Sequence, residues 1–249
     1  MKIVITGATS GIGAALACHY ARAETTLGLI GRRQEQLAAV TARCQAQGAQ
    51  VCAAPLDVRD AAAMQAYAEQ FLATAGGIDI VIANAGIGER DALASGNASH
   101  HARVFEVNVL GMLNTLLPFI PGMILQQHGH LVAIASIAGF RVLPGSTTYA
   151  ATKVAVRALM EGYGWELRRY GIITTTINPG FVVSEMTARN QFRMPFLLQT
   201  EVAARRIARA IARRRCVYTF PWPMAIVAHL LPLVPGVLLR RAGSYRPTQ

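Results

Sequence analysis

Lysine is almost missing from this chain of 249 residues: of 24 basic residues only Lys2 and Lys153 are lysines, and the rest are arginines. Acidic residues are scarce too, 13 against those 24, which leaves a formal net charge of +11. A polyanion-binding surface would interleave that charge with exposed aromatics, but only 7% of the chain is aromatic, so no nucleic-acid partner is expected. An arginine bias can follow from a GC-rich genome. A lysine retained against it is one whose chemistry a guanidinium does not replace, which singles out Lys153. The four cysteines, Cys18, Cys44, Cys52 and Cys216, include no CxxC pair. They read as reduced thiols of a cytoplasmic protein, and no metal site is expected. With 15% charged against 53% hydrophobic residues, a disordered chain is excluded. No fixed-period repeat and no Pro/Gly/Ser-rich linker divides residues 1–249, so one domain is expected. The apolar stretch before Gly7 is short for a signal peptide and reads as the start of a strand.

What the chain does contain is an alternation of short β-branched runs with longer alanine-rich stretches. Strands are expected at 2–6, 26–30, 51–54, 78–83, 130–135, 172–177 and 217–219. Helices are expected at 13–23, 34–47, 61–75, 100–127, 148–170 and 201–214. Several strands are apolar throughout, as when helices cover both faces of a parallel sheet. The fold class is therefore α/β: a Rossmann-like, doubly wound parallel sheet of about seven strands with helices on both faces.

Directly after the first strand comes Thr6-Gly7-Ala8-Thr9-Ser10-Gly11-Ile12-Gly13, opening a helix. Glycines there let the backbone turn sharply and approach a pyrophosphate, and the helix N-terminus offers free N–H groups and a positive dipole end. The spacing, three residues between the first two glycines and one between the last two, resembles the short-chain dehydrogenase/reductase family in its short, single-domain branch. At the end of the second strand, where a carboxylate would hold the ribose hydroxyls of NAD, stands Gly31-Arg32-Arg33. Two guanidiniums favour the 2′-phosphate of NADP(H), with Arg32 the first choice and Arg33 either bordering the adenine or solvating the next helix. The resemblance implies further cofactor contacts from Asp57 and Val58 at the adenine and from Asn84, Ala85 and Gly86 after the fourth strand.

Tyr149 and Lys153 lie at i and i+4 of an expected helix, hence on one face. A phenol of pKa near 10 is a weak acid or base at neutrality, and a neighbouring ammonium together with the positive charge of an oxidised nicotinamide ring is expected to lower that pKa. Ser136 follows an apolar strand, where open α/β sheets gather ligands. The Ser136–Tyr149–Lys153 spacing matches the family, as does Asn108 in the long helix before it; the resemblance covers roughly residues 1–187. It implies hydride transfer between nicotinamide and a carbonyl or alcohol carbon. Tyr149 would be the proton donor or acceptor, Ser136 would hold the substrate oxygen, and Lys153 would hold the ribose and tune Tyr149. Asn108 would keep a backbone kink and a water in a proton relay. It also implies that Pro179, Gly180, Val182 and Ser184 close over the nicotinamide, with Thr187 competing for the role of Ser184, and that the chain forms a homo-oligomer.

Past Ser184 a variable substrate lid is expected at about 185–200, rich in Met and Phe and suited to an apolar substrate. The nearly uncharged segment 217–241, with Pro221, Pro223, Pro232 and Pro235 inside and Arg240-Arg241 at its end, has three readings: a wall over the substrate, a subunit contact, or a membrane-surface segment. The chain is thus expected to be an NADPH-dependent carbonyl reductase or alcohol dehydrogenase. The alternative is a catalytically idle dinucleotide-binding sensor or scaffold.

Overall fold

The computed structural model describes residues 1–88, 91, 93–142, 145–190 and 192–234. Strands β1 (Lys2–Thr6), β2 (Thr26–Ile30), β3 (Gln50–Ala54), β4 (Ile80–Ala83), β5 (Gly129–Ile134), β6 (Ile172–Pro179) and β7 (Val217–Phe220) form one 7-stranded sheet in the order β3-β2-β1-β4-β5-β6-β7. Every neighbouring pair is parallel. Each strand therefore needs a crossover, and the helical stretches between the strands supply it.

The central strand shows why the sheet is covered twice. In β1, Ile3 and Ile5 join one apolar cluster with α1 (Gly11–Tyr20), α2 (Gln34–Gln45) and α8 (Thr200–Ala212). Val4, between them, joins the opposite cluster with α3 (Ala61–Ala75), α5 (Gly111–Leu116) and α7 (Thr147–Leu167). All three side chains are fully buried, each contributing about 1.5–3 kcal/mol relative to exposure. The winding reverses between β1 and β4, and the carboxyl ends of the strands on either side of that reversal leave a crevice.

The run expected as one helix at 100–127 is interrupted. It comprises α4 (Ala98–Phe105), a π-helical turn (Glu106–Leu110), α5, a 3-10 turn (Leu117–Phe119) and α6 (Ile120–Gln126). Pro118 and Pro121 lack the N–H an unbroken α-helix requires, and the π turn centres on Asn108. The whole run 98–126 is long and apolar enough to cross a membrane, but Met112, Leu116, Phe119 and Met123 bury themselves against the sheet. A helix not expected from the sequence, α9 (Trp222–Leu230), starts directly after Pro221. Pro221 and Pro223 do not interrupt it because they sit at its first positions, where N–H groups have no intrahelical partner. Pro235, Arg240 and Arg241 lie outside the described residues.

Candidate active site

The carboxyl ends of the strands open into a cleft of about 500 Å³. Every cofactor and catalytic residue expected from the sequence lines it except Gly13 and Asn108, which stand directly behind its wall. Gly7 has φ +66, and a Cβ there would lie 2.8 Å from the Ala85 Cα. A Cβ on Gly13 would lie 2.2 Å from the Gly7 carbonyl oxygen, so only glycine lets α1 approach its own entry turn. The Asn84 amide fixes that turn from β4, donating to the carbonyls of Thr6 (3.0 Å) and Gly7 (3.2 Å). Ser10 is the N-cap of α1, but its side chain does not cap the helix, and no acidic residue occupies the first turn. The first N–H groups of α1 therefore face the cleft with the helix dipole behind them, which fits a dinucleotide pyrophosphate.

The two arginines after β2 take different positions. Arg32 is exposed and reaches Asp57 at 3.5 Å. The Asp57 carboxyl is held below its ordinary pKa, first by the side-chain hydrogen bonds of Arg59, at 2.8 and 3.1 Å. Arg33 folds back over the glycine-rich turn: Nη2 donates to Ser10 Oγ (2.8 Å) and Thr9 Oγ1 (3.1 Å), and Nη1 to both carboxylate oxygens of Glu185 (2.9 and 2.7 Å). The arginine expected to border the adenine is thus the one tied to the glycine-rich turn. Arg33 is also the N-cap residue of α2.

At the other end of the cleft, β5 ends just before Ser136 and α7 carries Tyr149 and Lys153. Ser136 Oγ accepts the Ala138 N–H at 3.1 Å and lines the same cleft as Tyr149. The Tyr149 pKa is raised, mainly because burial disfavours the phenolate, while the Ser136 contact offsets part of that. The Lys153 ammonium by itself does not bring it below the ordinary value. The Lys153 ammonium stands 5.6 Å from the phenol ring centroid and donates to the Ile134 carbonyl at 2.9 Å. Lys153 is only 5% exposed, and burial pulls its pKa down to about 8.

The π turn places Asn108 behind this pair. Its Oδ1 accepts the Ile87 N–H (2.8 Å), and its Nδ2 donates to the Ile87 carbonyl (2.9 Å) and to Thr152 Oγ1 (3.0 Å). Thr152 in turn donates to the Tyr149 carbonyl at 2.7 Å. Asp91 escaped the sequence reading. Its side chain is 2% exposed, and its carboxylate accepts the backbone N–H groups of Thr147 and Thr148, capping α7 from a distant loop. No local capping motif announces this, since donor and acceptor are 56 residues apart. Gly88, also missed, leaves room for Tyr149 and Met186: a Cβ there would lie 3.4 Å from the ring and 3.1 Å from the Met186 sulfur. A second glycine two positions after Gly86 was the available signal.

Pro179 ends β6, and the loop that follows, carrying Gly180, Val182 and Ser184, lines the cleft with it. The Val182–Leu198 bridge and the Thr200 Oγ1 bond to the Val183 carbonyl (2.6 Å) tie together the two ends of the segment expected as a lid. Ser184 and Thr187 bond each other: the Ser184 N–H donates to Thr187 Oγ1 (2.9 Å), and the Thr187 N–H to Ser184 Oγ (3.2 Å). The Thr187 hydroxyl is directed at the Val182 carbonyl (2.8 Å), which leaves the Ser184 hydroxyl proton the freer donor. Helix α9 packs beside this loop and beside the turn after Ser136. A Cβ on Gly180 would lie 3.7 Å from the Met224 side chain, and the His229 ring is 4.7 Å from that of Phe140.

A family model described as short chain dehydrogenase matches residues 1–193, and the chain belongs to the short-chain dehydrogenase/reductase family of oxidoreductases. An uncharacterized oxidoreductase of Myxococcus xanthus is 37% identical over 240 residues, covering 96% of this chain and 95% of its own. Among solved structures, a short-chain dehydrogenase from Sphingobium yanoikuyae in complex with NADPH superposes with a TM-score of 0.83 at 26% identity, covering 100% of this chain and 97% of its own. A family member from Burkholderia phymatum in complex with NAD superposes with a TM-score of 0.81 at 28% identity, covering 100% and 98%. Family neighbours thus bind nicotinamide dinucleotides of both kinds.

Proposed function

We propose that this protein is an NADP(H)-dependent carbonyl reductase or alcohol dehydrogenase acting on an apolar substrate. The observation that carries the reading is one cleft with Ser136, Tyr149 and Lys153 at one end and Arg32 and Arg33 beside the glycine-rich turn at the other. When bound, the cofactor supplies or accepts the hydride.

In reduction, the carbonyl oxygen rests between Ser136 and Tyr149. Ser136 Oγ already accepts from Ala138, so its own proton is free to hydrogen-bond the oxygen as negative charge grows there. Tyr149, a phenol that burial makes still harder to ionise, passes its proton to that oxygen and yields the alcohol. Lys153 uses one N–H on Ile134 and keeps two for the ribose hydroxyls and the developing phenolate. Asn108 is a positioning residue that locks Ile87 to α7, and the proton relay to solvent behind Lys153 belongs to the same proposal.

At the nucleotide end, Gly7, Thr9, Ser10, Gly11 and Ile12 cradle the pyrophosphate, and Gly13 permits the turn. Asp57 and Val58 flank the adenine, and Arg32 and Arg33 take the 2′-phosphate. Ser184 holds the carboxamide. The contacts of α9 favour the substrate-wall reading of its segment. A membrane-surface role draws less support, because Arg213–Arg215 precede β7 whereas α9 follows it, so the basic and apolar stretches sit at opposite ends of that strand. Homo-oligomerisation is supported by the exposed Val154 and Trp165 on α7.

The test follows NADPH and NADH oxidation in parallel over a panel of ketones, aldehydes and acyl-derived carbonyls, with Tyr149→Phe alongside. Turnover with NADPH that Tyr149→Phe abolishes, at retained NADPH affinity, bears the reading out. Faster turnover with NADH throughout overturns the cofactor assignment. No turnover on any carbonyl, with NADPH still bound, favours the idle binding protein.

A further inference from the structure

The Arg33–Glu185 pair joins the phosphate-binding end of the cleft to the root of the lid, bridging 152 residues of chain. Arg33 is oriented by hydroxyls as well as by the carboxylate. Thr9 Oγ1 and Ser10 Oγ both accept from it, so their own protons remain available as donors beside it. Two guanidiniums and two hydroxyl donors form a cluster suited to a phosphate monoester. The cleft carries two carboxylates at this end, and they differ. Asp57 is held by Arg59 in close two-nitrogen contact, whereas Glu185 accepts from Arg33 alone among the described residues.

We infer that Glu185 is a specificity-determining residue for the cofactor: its carboxylate competes with a 2′-phosphate for the Arg33 guanidinium. The inference rests on the NADP(H) reading and refines it. A dinucleotide with a 2′-phosphate must either displace Glu185 from Arg33 or sit beside its negative charge, and both weaken its binding. A dinucleotide without that phosphate leaves the pair intact. Glu185 therefore narrows the discrimination that Arg32 and Arg33 create. The Glu185 and Arg33 side chains are 59% and 39% exposed, so solvent screens the competition to about a three- to tenfold effect, smaller at high salt.

The experiment titrates the full-length protein, Glu185→Gln, Arg33→Gln and the double variant with 2′,5′-ADP and 5′-AMP by calorimetry. Glu185→Gln keeps the shape and a carbonyl acceptor for Arg33 and removes only the charge. The expected result is 2′,5′-ADP binding tightened about three- to tenfold with 5′-AMP within twofold, the gain vanishing in the Arg33→Gln background. An unchanged ratio, an equal shift of both ligands, or a gain that persists without Arg33 overturns the assignment. The unaltered protein's own preference between the two ligands tests the NADP(H) reading separately. If it has none but Glu185→Gln acquires one through Arg33, that reading fails and the role of Glu185 stands.

Discussion

Replacing Lys153 with methionine tests the electrostatics of the site without any substrate. The ammonium is 5% exposed, its one carbonyl partner in the structure is that of Ile134, and burial lowers its pKa from 10.5 to about 8. Between those two values the unfolded chain still binds a proton that the folded chain has released. Fold stability therefore rises with pH across this window, by about 1.4 kcal/mol per unit and about 3 kcal/mol in all. Below pH 8 the penalty of the buried charge is fully present. Lys153→Met has no such titration, so its stability relative to the parent is highest near pH 7 and declines by about 2 kcal/mol by pH 9.5. Other groups, such as the Cys44 thiol pushed up to about 12 by burial, are common to both proteins and cancel in the difference. The offsetting loss of the Ile134 bond shifts the difference at every pH without tilting it. Urea unfolding by circular dichroism at pH 7.0, 8.0, 9.0 and 9.5 measures it. A stability difference that stays flat over that range refutes the buried-ammonium account.

In the reduction direction, kcat/KM for the cofactor should fall as pH rises through about 8. Lys153 loses its proton there while Tyr149, raised by burial, keeps its own; an alkaline limb only above pH 10 would contradict this assignment. Asp91→Ala removes the acceptor of two N–H groups at the start of α7 and should cost about 1–2 kcal/mol. At roughly 2–4 °C per kcal/mol that is visible in thermal melts, with a lower kcat because Tyr149 sits in the same turn, and Asp91→Asn should restore most of both. Gly13→Ala forces its methyl against the Gly7 carbonyl and should abolish NADPH fluorescence enhancement while the far-ultraviolet spectrum remains that of a folded protein.

Much of this molecule is written locally. Strands β1 and β2 and helix α3 occupy the expected residues, because apolar β-branched runs, and for α3 Asp60 and Gly76 at its two ends, specify them over a few positions. The glycine spacing after β1 likewise fixes a turn whose geometry admits no side chain at Gly7 or Gly13. The break at 106–119 was less legible. A helical periodicity continues through a π turn, and only Asn108 with its partners Ile87 and Thr152 shows what that turn positions.

The amino-acid order thus determined the sheet, the glycine-rich turn and most of the residues expected at the cleft. Each follows from backbone sterics, helix and strand periodicity, or the i, i+4 spacing of Tyr149 and Lys153. Tertiary structure alone decided that Arg33 rather than Arg32 bonds Thr9, Ser10 and Glu185, that Asp91 caps α7, that α9 packs beside the Ser136 turn, and that burial raises the Tyr149 phenol. These are matters of which side chain meets which across 23 to 152 residues of chain, and of how much water remains around a charge. No spacing rule encodes either one, because both are set by packing the whole fold.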